Sequence, residues 1–220
     1  MKYIYLFGKN INEGDSAKID LLGGKGANLA EMSSLNIPVP PGFTVTTEVC
    51  NIFLKNYTLK KSIKRYILKA LHRVEKNISK KFGDIENPLL LSVRSGAKVS
   101  MPGMMETVLN IGLTSKTIPG LIKKTGNSRF VYDSYRRLMM MYADVVMDKA
   151  EQNNNINIRE KLEDILDRYK KKRSIVNDYD LTTEDLKFLI DKFKFHIKKN
   201  LKVDFPDSAE EQLWGAIEAV

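Results

Sequence analysis

Two stretches of this sequence carry residue types able to hold a polyphosphate. The first, Leu21-Leu-Gly-Gly-Lys-Gly-Ala-Asn-Leu-Ala-Glu-Met32, sets Lys25 among Gly23, Gly24 and Gly26. The second, Ser92-Val-Arg-Ser-Gly-Ala-Lys-Val-Ser-Met-Pro-Gly-Met-Met-Glu-Thr107, places Arg94 before Ser95, Gly96 and Ala97. Glycines open backbone conformations closed to other residues, so their N–H groups can converge on an anion. A helix starting just beyond adds the positive end of its dipole. Lysine contributes a full charge on a flexible stem, and arginine a planar fork of donors matched to phosphate oxygens. Met101-Pro-Gly-Met-Met105 is apolar, with Gly103 as its pivot, and is suited to cover bound phosphates. Neither stretch fits Gly-x-x-x-x-Gly-Lys-Ser/Thr, and Leu29 occupies the third glycine's place in Gly-x-Gly-x-x-Gly. Residue chemistry alone leaves two alternatives open: a plain turn into a helix at Lys25, and a structural ion pair at Arg94.

These loops need elements to position them. Tyr3 to Phe7 reads as a strand, and a helix is expected from Gly26, carried by Ala27, Leu29, Ala30, Met32 and Leu35. Pro38, Pro40, Pro41 and Gly42 end it. Phe43 to Thr46 reads as a short strand, with Thr47 as the N-cap of the next helix and Glu48 in its first turn. Between Lys55 and Lys81, Ile63, Ile67, Leu71, Val74, Ile78 and Phe82 recur at helical spacing, with lysines between them. That pattern predicts an amphipathic helix with a basic outer face, closing at Gly83. Leu89 to Val93 is almost wholly apolar and reads as a buried central strand. Met104 to Leu113 reads as helix giving way to strand. Beyond Gly126 glycine nearly vanishes, and helices are expected over Phe130–Ala150, over Ile158–Lys172, from Thr182 or Thr183, and over Ser208–Val220, with Gln152–Asn157 as a loop.

The expected fold class is α+β, in three parts: an α+β lobe at 1–125 carrying the glycine loops, a helical lobe at 126–205, and a closing helix at 206–220 returning to the first lobe. The 220 residues suffice for one substantial core or two small lobes. No apolar run approaches the roughly 20 residues that span a bilayer. The single cysteine, Cys50, excludes an intrachain disulfide and suits a reducing cytoplasm. The net charge of +9 is basic enough to attract polyanions, yet nucleic-acid motifs and interleaved aromatics are absent. A solvated face, or a surface docking an acidic partner, accounts for the lysines.

The ordered set Leu-Leu-Gly-Gly-Lys-Gly-Ala-Asn-Leu-Ala-Glu-Met, Val39-Pro-Pro-Gly-Phe-Thr-Val-Thr-Thr-Glu48, Leu91-Ser-Val-Arg-Ser-Gly-Ala97 and Ser100-Met-Pro-Gly-Met-Met105 resembles the N-terminal nucleotide-binding domain of pyruvate, phosphate dikinase. Gly126-Asn-Ser-Arg-Phe-Val-Tyr-Asp-Ser-Tyr-Arg-Arg137 and Leu181-Thr-Thr-Glu-Asp-Leu186 extend the resemblance over nearly the whole chain. It implies the N-terminal portion of an ATP-grasp-type domain with a mostly helical second lobe. The implied phosphotransferase interconverts ATP, phosphate and pyruvate with AMP, pyrophosphate and phosphoenolpyruvate. By resemblance Lys25 and Arg94 match ATP-phosphate ligands, Gly103 matches the loop glycine closing over the polyphosphate, and Arg137 matches an arginine of the phosphoryl-transfer site. A surface arginine beside Asp133 is the open alternative for Arg137.

The resemblance also implies ATP and Mg²⁺ as cofactors, with the metal carboxylates and phosphohistidine beyond residue 220; no metal ligand or catalytic residue is expected within this chain. His72 and His196, the two histidines, sit among helical lysines and read as solvated or packed. The expected partners are ATP, phosphate and the remaining dikinase domains, with self-association through exposed apolar surface left open and no nucleic acid or membrane. The chain is then a fragment, inactive alone. A phosphoenolpyruvate synthase-like fragment, and a non-catalytic module docking through its basic face at Lys64 and Lys69, stand as alternatives.

Overall fold

The computed structural model describes residues 2–96, 107–148 and 157–220. It divides into two compact units, one of Met1–Lys81 with Arg94–Glu106 and one of Phe82–Val93 with Thr107–Val220. The fold class is α+β, as the sequence predicts.

The first unit is built on a three-stranded antiparallel sheet of order β2-β1-β3. β1 (Ile4–Gly8) turns through Asn10, at φ +61°, into β2 (Ile11–Asn12) and pairs on its other edge with β3 (Gly42–Val45). The register sets Ile4 opposite Val45 and Phe7 opposite Gly42. Burial alternates along β1, so Ile4 and Leu6 enter the core. α1 (Ile19–Ser34) and α3 (Lys61–Ile78) pack on the sheet, and α2 (Thr47–Asn56) packs on α1. α3 turns Ile63, Ile67, Ala70, Leu71 and Val74 inward, the stripe its periodicity predicts. The basic helix starts at Lys61 rather than near Lys55, because α2 runs to Asn56 and Tyr57 closes it in a left-handed conformation. α3 ends at Ser79, also left-handed, rather than at Gly83. Thr46, not Thr47, is the N-cap of α2; the Thr47 hydroxyl instead donates to the Asp20 carbonyl on α1 at 2.8 Å.

The second unit opens with β4 (Lys81–Phe82) paired with β5 (Pro88–Leu89), and β6 (Leu91–Arg94) paired with β7 (Thr107–Ile111). The expected buried central strand is therefore two short pieces, with β6 only half-buried or exposed along its length. An apolar run has no partner strands to bury it when each ladder has only two members. Met104–Glu106 lie outside the described residues, and Thr107 begins a strand.

Helices α4 (Ile118–Thr125), α5 (Ser128–Tyr142), α6 (Ile158–Lys172), α7 (Thr183–Leu201) and α8 (Ala209–Ala219) follow. Each boundary has a chemical cause. Asn127, Asn157 and Ser208 cap α5, α6 and α8, and Thr182 forms a reciprocal capping box with Asp185 at α7. Gly126 ends α4 at φ +65°. α5 widens into a π-helical turn over Ala143–Asp148 where the sequence predicts an uninterrupted helix. Leu138, Met139, Ile158, Leu162, Leu186, Leu189, Phe193 and Ile197 form a fully buried core between α5, α6 and α7.

The compact units part at residues 81–82, 93–94 and 106–107, whereas the sequence suggested 125–126. The physical reason is that β7 and α4 pack on α5, and α8 packs on β7 and the π turn. Gln212 secures that arrangement from within the core. Its amide donates to the Leu113 and Pro206 carbonyls at 3.1 and 2.9 Å, and its oxygen accepts from the Gly112 N–H at 2.9 Å.

Candidate phosphate site

The site is built around a break in α1. Gly23 has φ +70° and ψ 166°, outside the helical region, so a single turn from Ile19 stops there and helical geometry resumes at Gly24. The sequence predicts the helix only from Gly26; it begins earlier and is interrupted instead. The N–H groups of Gly24, Lys25 and Gly26 thereby open a fresh first turn, where backbone donors have no intrahelical acceptor.

Gly23 is also where the second glycine segment arrives. A Cβ placed on Gly23 would lie 1.6 Å from the Gly96 carbonyl oxygen, so only glycine permits this backbone-to-backbone approach. A Cβ on Gly96 would in turn lie 3.6 Å from the Leu22 carbonyl. Two segments some seventy residues apart in the chain therefore meet within the first unit. Gly26 serves packing rather than this approach. It is buried, and a Cβ there would come 2.7 Å from Thr44 Cγ2, so its bareness seats α1 on β3.

The two cations are brought within electrostatic reach of each other. The Lys25 ammonium is held below the ordinary lysine value of 10.5, first by partial burial and then by the positive charge of Arg94. Arg94 is exposed at the end of β6. Among the described residues neither forms an ion pair, although the chain carries 27 carboxylates. The structural ion pair that the sequence left open for Arg94 is not seen among them. Two like charges held together without a counter-charge cost free energy until an anion arrives. Ser95 Oγ adds a polar atom sealed from solvent, without a hydrogen-bond partner among the described residues.

Thr46 Oγ1 and Glu48 Oε2, at the start of α2, are likewise sealed and without a hydrogen-bond partner among the described residues, which the sequence did not indicate; Thr46 and Glu48 read there only as strand end and first helical turn. Gly103 lies outside the described residues.

Arg137 belongs to the second unit, on α5. It is exposed, and its Nε donates to Asp133 Oδ2 at 3.0 Å, the arrangement of a surface arginine. Its neighbour Arg136 is buried, donating to Asp133 at 2.7 Å and to Asp178 at 3.0 Å. Lys170 completes the network on Asp178 at 2.8 Å. Burial opposes the Asp178 charge, but Lys170 and Arg136 together outweigh it and hold the carboxyl below its ordinary value. These cations are consumed by internal carboxylates.

His72 is exposed and pairs with Glu75 at 3.1 Å; His196 is half-buried, edge-on to Phe195, and pushed down by burial and then by Lys199, Lys192 and Lys161. Among the described residues no group of three His, Cys, Asp or Glu side chains could hold a metal ion. No described helix is long and apolar enough to cross a membrane. The Lys25 site thus offers cations and backbone donors, which can bind and orient an oxyanion.

Residues 19–70, which include the whole of α1 and most of α3, match the pyruvate phosphate dikinase AMP/ATP-binding domain family. Along its full length the chain is 46% identical over 221 residues to pyruvate, phosphate dikinase of Clostridium symbiosum. It is 43% identical over 220 residues to the dikinase of Rhizobium meliloti (strain 1021) and to the chloroplastic pyruvate, phosphate dikinase 1 of Arabidopsis thaliana. These alignments take in 100% of this chain but only 24%, 24% and 22% of the respective relatives. The chain spans about a quarter of the length of the curated relatives it matches, and the similarity is to their N-terminal, nucleotide-binding part.

Proposed function

We propose that this chain supplies one wall of the ATP site of a pyruvate, phosphate dikinase, the phosphotransferase interconverting ATP, phosphate and pyruvate with AMP, pyrophosphate and phosphoenolpyruvate. The observation that carries the reading is the pair Lys25 and Arg94, two like charges at a glycine kink without a carboxylate among the described residues. The full-length similarity to dikinases supports the same assignment.

In this reading Lys25 and Arg94 neutralise the ATP phosphates, and the N–H groups of Gly24, Lys25 and Gly26 donate to phosphate oxygens. Ser95 and Gly96 position the second segment against the first. Phosphoryl transfer depends on positioning and charge neutralisation, which this equipment serves. Gly103 would close over the polyphosphate and Arg137 would reach the transferring group; Asp133 would have to release Arg137 first. Mg²⁺, when bound, would supply further positive charge against the phosphates, and its ligands would have to come from outside the described residues, which lack a suitable cluster. The chain would work beside the remaining domains of such an enzyme, in a reducing compartment such as the cytoplasm, where the exposed Cys50 stays a thiol.

Isothermal calorimetry with ATP tests the reading. The 220-residue chain is expected to bind in the millimolar range, about −4 kcal/mol, and Lys25→Ala and Arg94→Ala each to weaken this about tenfold. Unchanged affinity in both variants would overturn the site. The chain alone should give no turnover; pyruvate-dependent AMP formation by it would overturn its assignment as one wall of a larger site.

A further inference from the structure

The net charge of this protein has an address. Residues 55–81 hold ten of the 36 lysines and arginines and one of the 27 carboxylates, Glu75, so the whole excess of +9 lies there and the rest of the chain is balanced. Most of that segment is α3. Its exposed ridge carries Lys61, Arg65, Lys69 and Lys76, spread over about 22 Å at 1.5 Å per residue. None of the four forms an ion pair among the described residues, whereas Arg73 is tied to Glu13 at 2.8 Å and His72 to Glu75. Leu68, 42% exposed, stands one turn from Arg65 and beside Lys69, an apolar side chain set within the cationic ridge.

We infer that this face of α3 is a docking surface for an acidic helical segment of another protein. Three features select that occupant over other polyanions. Lys61, Arg65 and Lys69 at four-residue spacing, with Lys76 two turns further on, match carboxylates spaced the same way on a facing helix, as in charge-paired helix interfaces. An exposed leucine ringed by charge resembles the apolar centre and polar rim of a protein contact. The opposite stripe of α3 is committed to the core through Ile63, Ile67, Leu71 and Val74, so the helix has no apolar face to lay into a bilayer. Nucleic acid would need stacking platforms, and the exposed aromatic here, Tyr66, leans on Tyr3 at 6.3 Å between ring centroids. The inference is independent of the nucleotide site, since none of these residues takes part in it.

Fluorescence anisotropy on the 220-residue chain tests it, using a labelled glutamate-rich amphipathic helix bearing leucines and, separately, poly-L-glutamate. Both should bind, with affinity falling as salt rises. The triple variant Lys61→Glu, Arg65→Glu, Lys69→Glu should lose at least about tenfold in affinity, and the Gln triple most of that. A control with equal charge change, Lys123→Glu, Lys171→Glu, Lys172→Glu, should stay within about twofold. Leu68→Ala should weaken the leucine-bearing helix about threefold and leave poly-L-glutamate unchanged. Equal losses in control and α3 variants would overturn the inference. So would oligo-dT or phosphatidylserine vesicles binding more tightly than the acidic helix, or no binding of either peptide at low salt. Circular dichroism melts confirm that each variant is folded.

Discussion

Two arginines in this protein teach opposite lessons. Arg136 is buried and gives up its donors to Asp133 and Asp178, which Lys170 also holds. Arg94 is exposed, finds no carboxylate among the described residues, and sits beside another cation, Lys25. The first arrangement has spent its electrostatics within the fold. The second keeps like charges together and remains short of an anion, and such a deficit is how a fold prepares to receive a ligand. A cation's function is therefore better read from what is missing around it than from its type.

The contrast can be broken most severely at Arg136. Arg136→Met strips two partly buried carboxylates of their common partner and should cost about 3 kcal/mol in urea unfolding. ATP affinity of the folded variant should not change; a parallel loss of both would show the two regions are not separable. Gly23→Ala comes next, because it puts a Cβ into the Gly96 carbonyl at a left-handed φ. Destabilisation of about 2–3 kcal/mol with loss of ATP binding is expected by calorimetry and thermal melts.

Lys25→Ala should separate binding from stability, with a tenfold loss in ATP affinity while unfolding changes by no more than about 0.5 kcal/mol. A large loss of stability would make Lys25 a structural cation like Arg136. The pH dependence should diverge as well. Asp178 has a depressed carboxyl, so its stabilising contribution is present above the ordinary value of 3.8 and is lost as pH falls through the lower folded value. Lys25 has a depressed ammonium, so phosphate affinity should decline on the alkaline side, beginning below 10.5. Titrating ATP affinity in wild type and Lys25→Ala isolates that step. The smallest effect belongs to Thr182→Ala, which opens a capping box in the second unit and should cost about 1 kcal/mol without touching ATP binding.

Much of the second unit is legible in its sequence. Ile158–Lys172 forms a helix with the expected limits because Asn157 supplies the cap and the apolar spacing runs its full length. Thr182 caps α7 because Asp185 follows at the distance a capping box requires. Such boundaries are local chemistry. Leu89–Val93 misleads for the opposite reason: apolarity signals burial only if the topology supplies neighbours, and here each ladder has two strands. The basic helix forms, but its limits differ from the expected ones, since nothing in Tyr57 or Ser79 as residue types forecasts the left-handed turns that set them.

The candidate site was legible in its parts and not in its assembly. Lys25, Arg94 and their glycines stand out by type and spacing, and the order of their motifs along the chain resembles that of the dikinases. What the sequence determined is a set of cations in backbone made permissive by glycine, together with helices whose ends carry their own signals, because those properties depend on residues near each other in the chain. Only the tertiary structure decided that Gly23 breaks α1, that Gly96 closes upon it, that Gly26 serves packing against Thr44, and that Arg136 is quenched while Arg94 is not. Those outcomes depend on which distant groups come within a few ångströms, and charge, close packing and backbone approach take effect only over that distance.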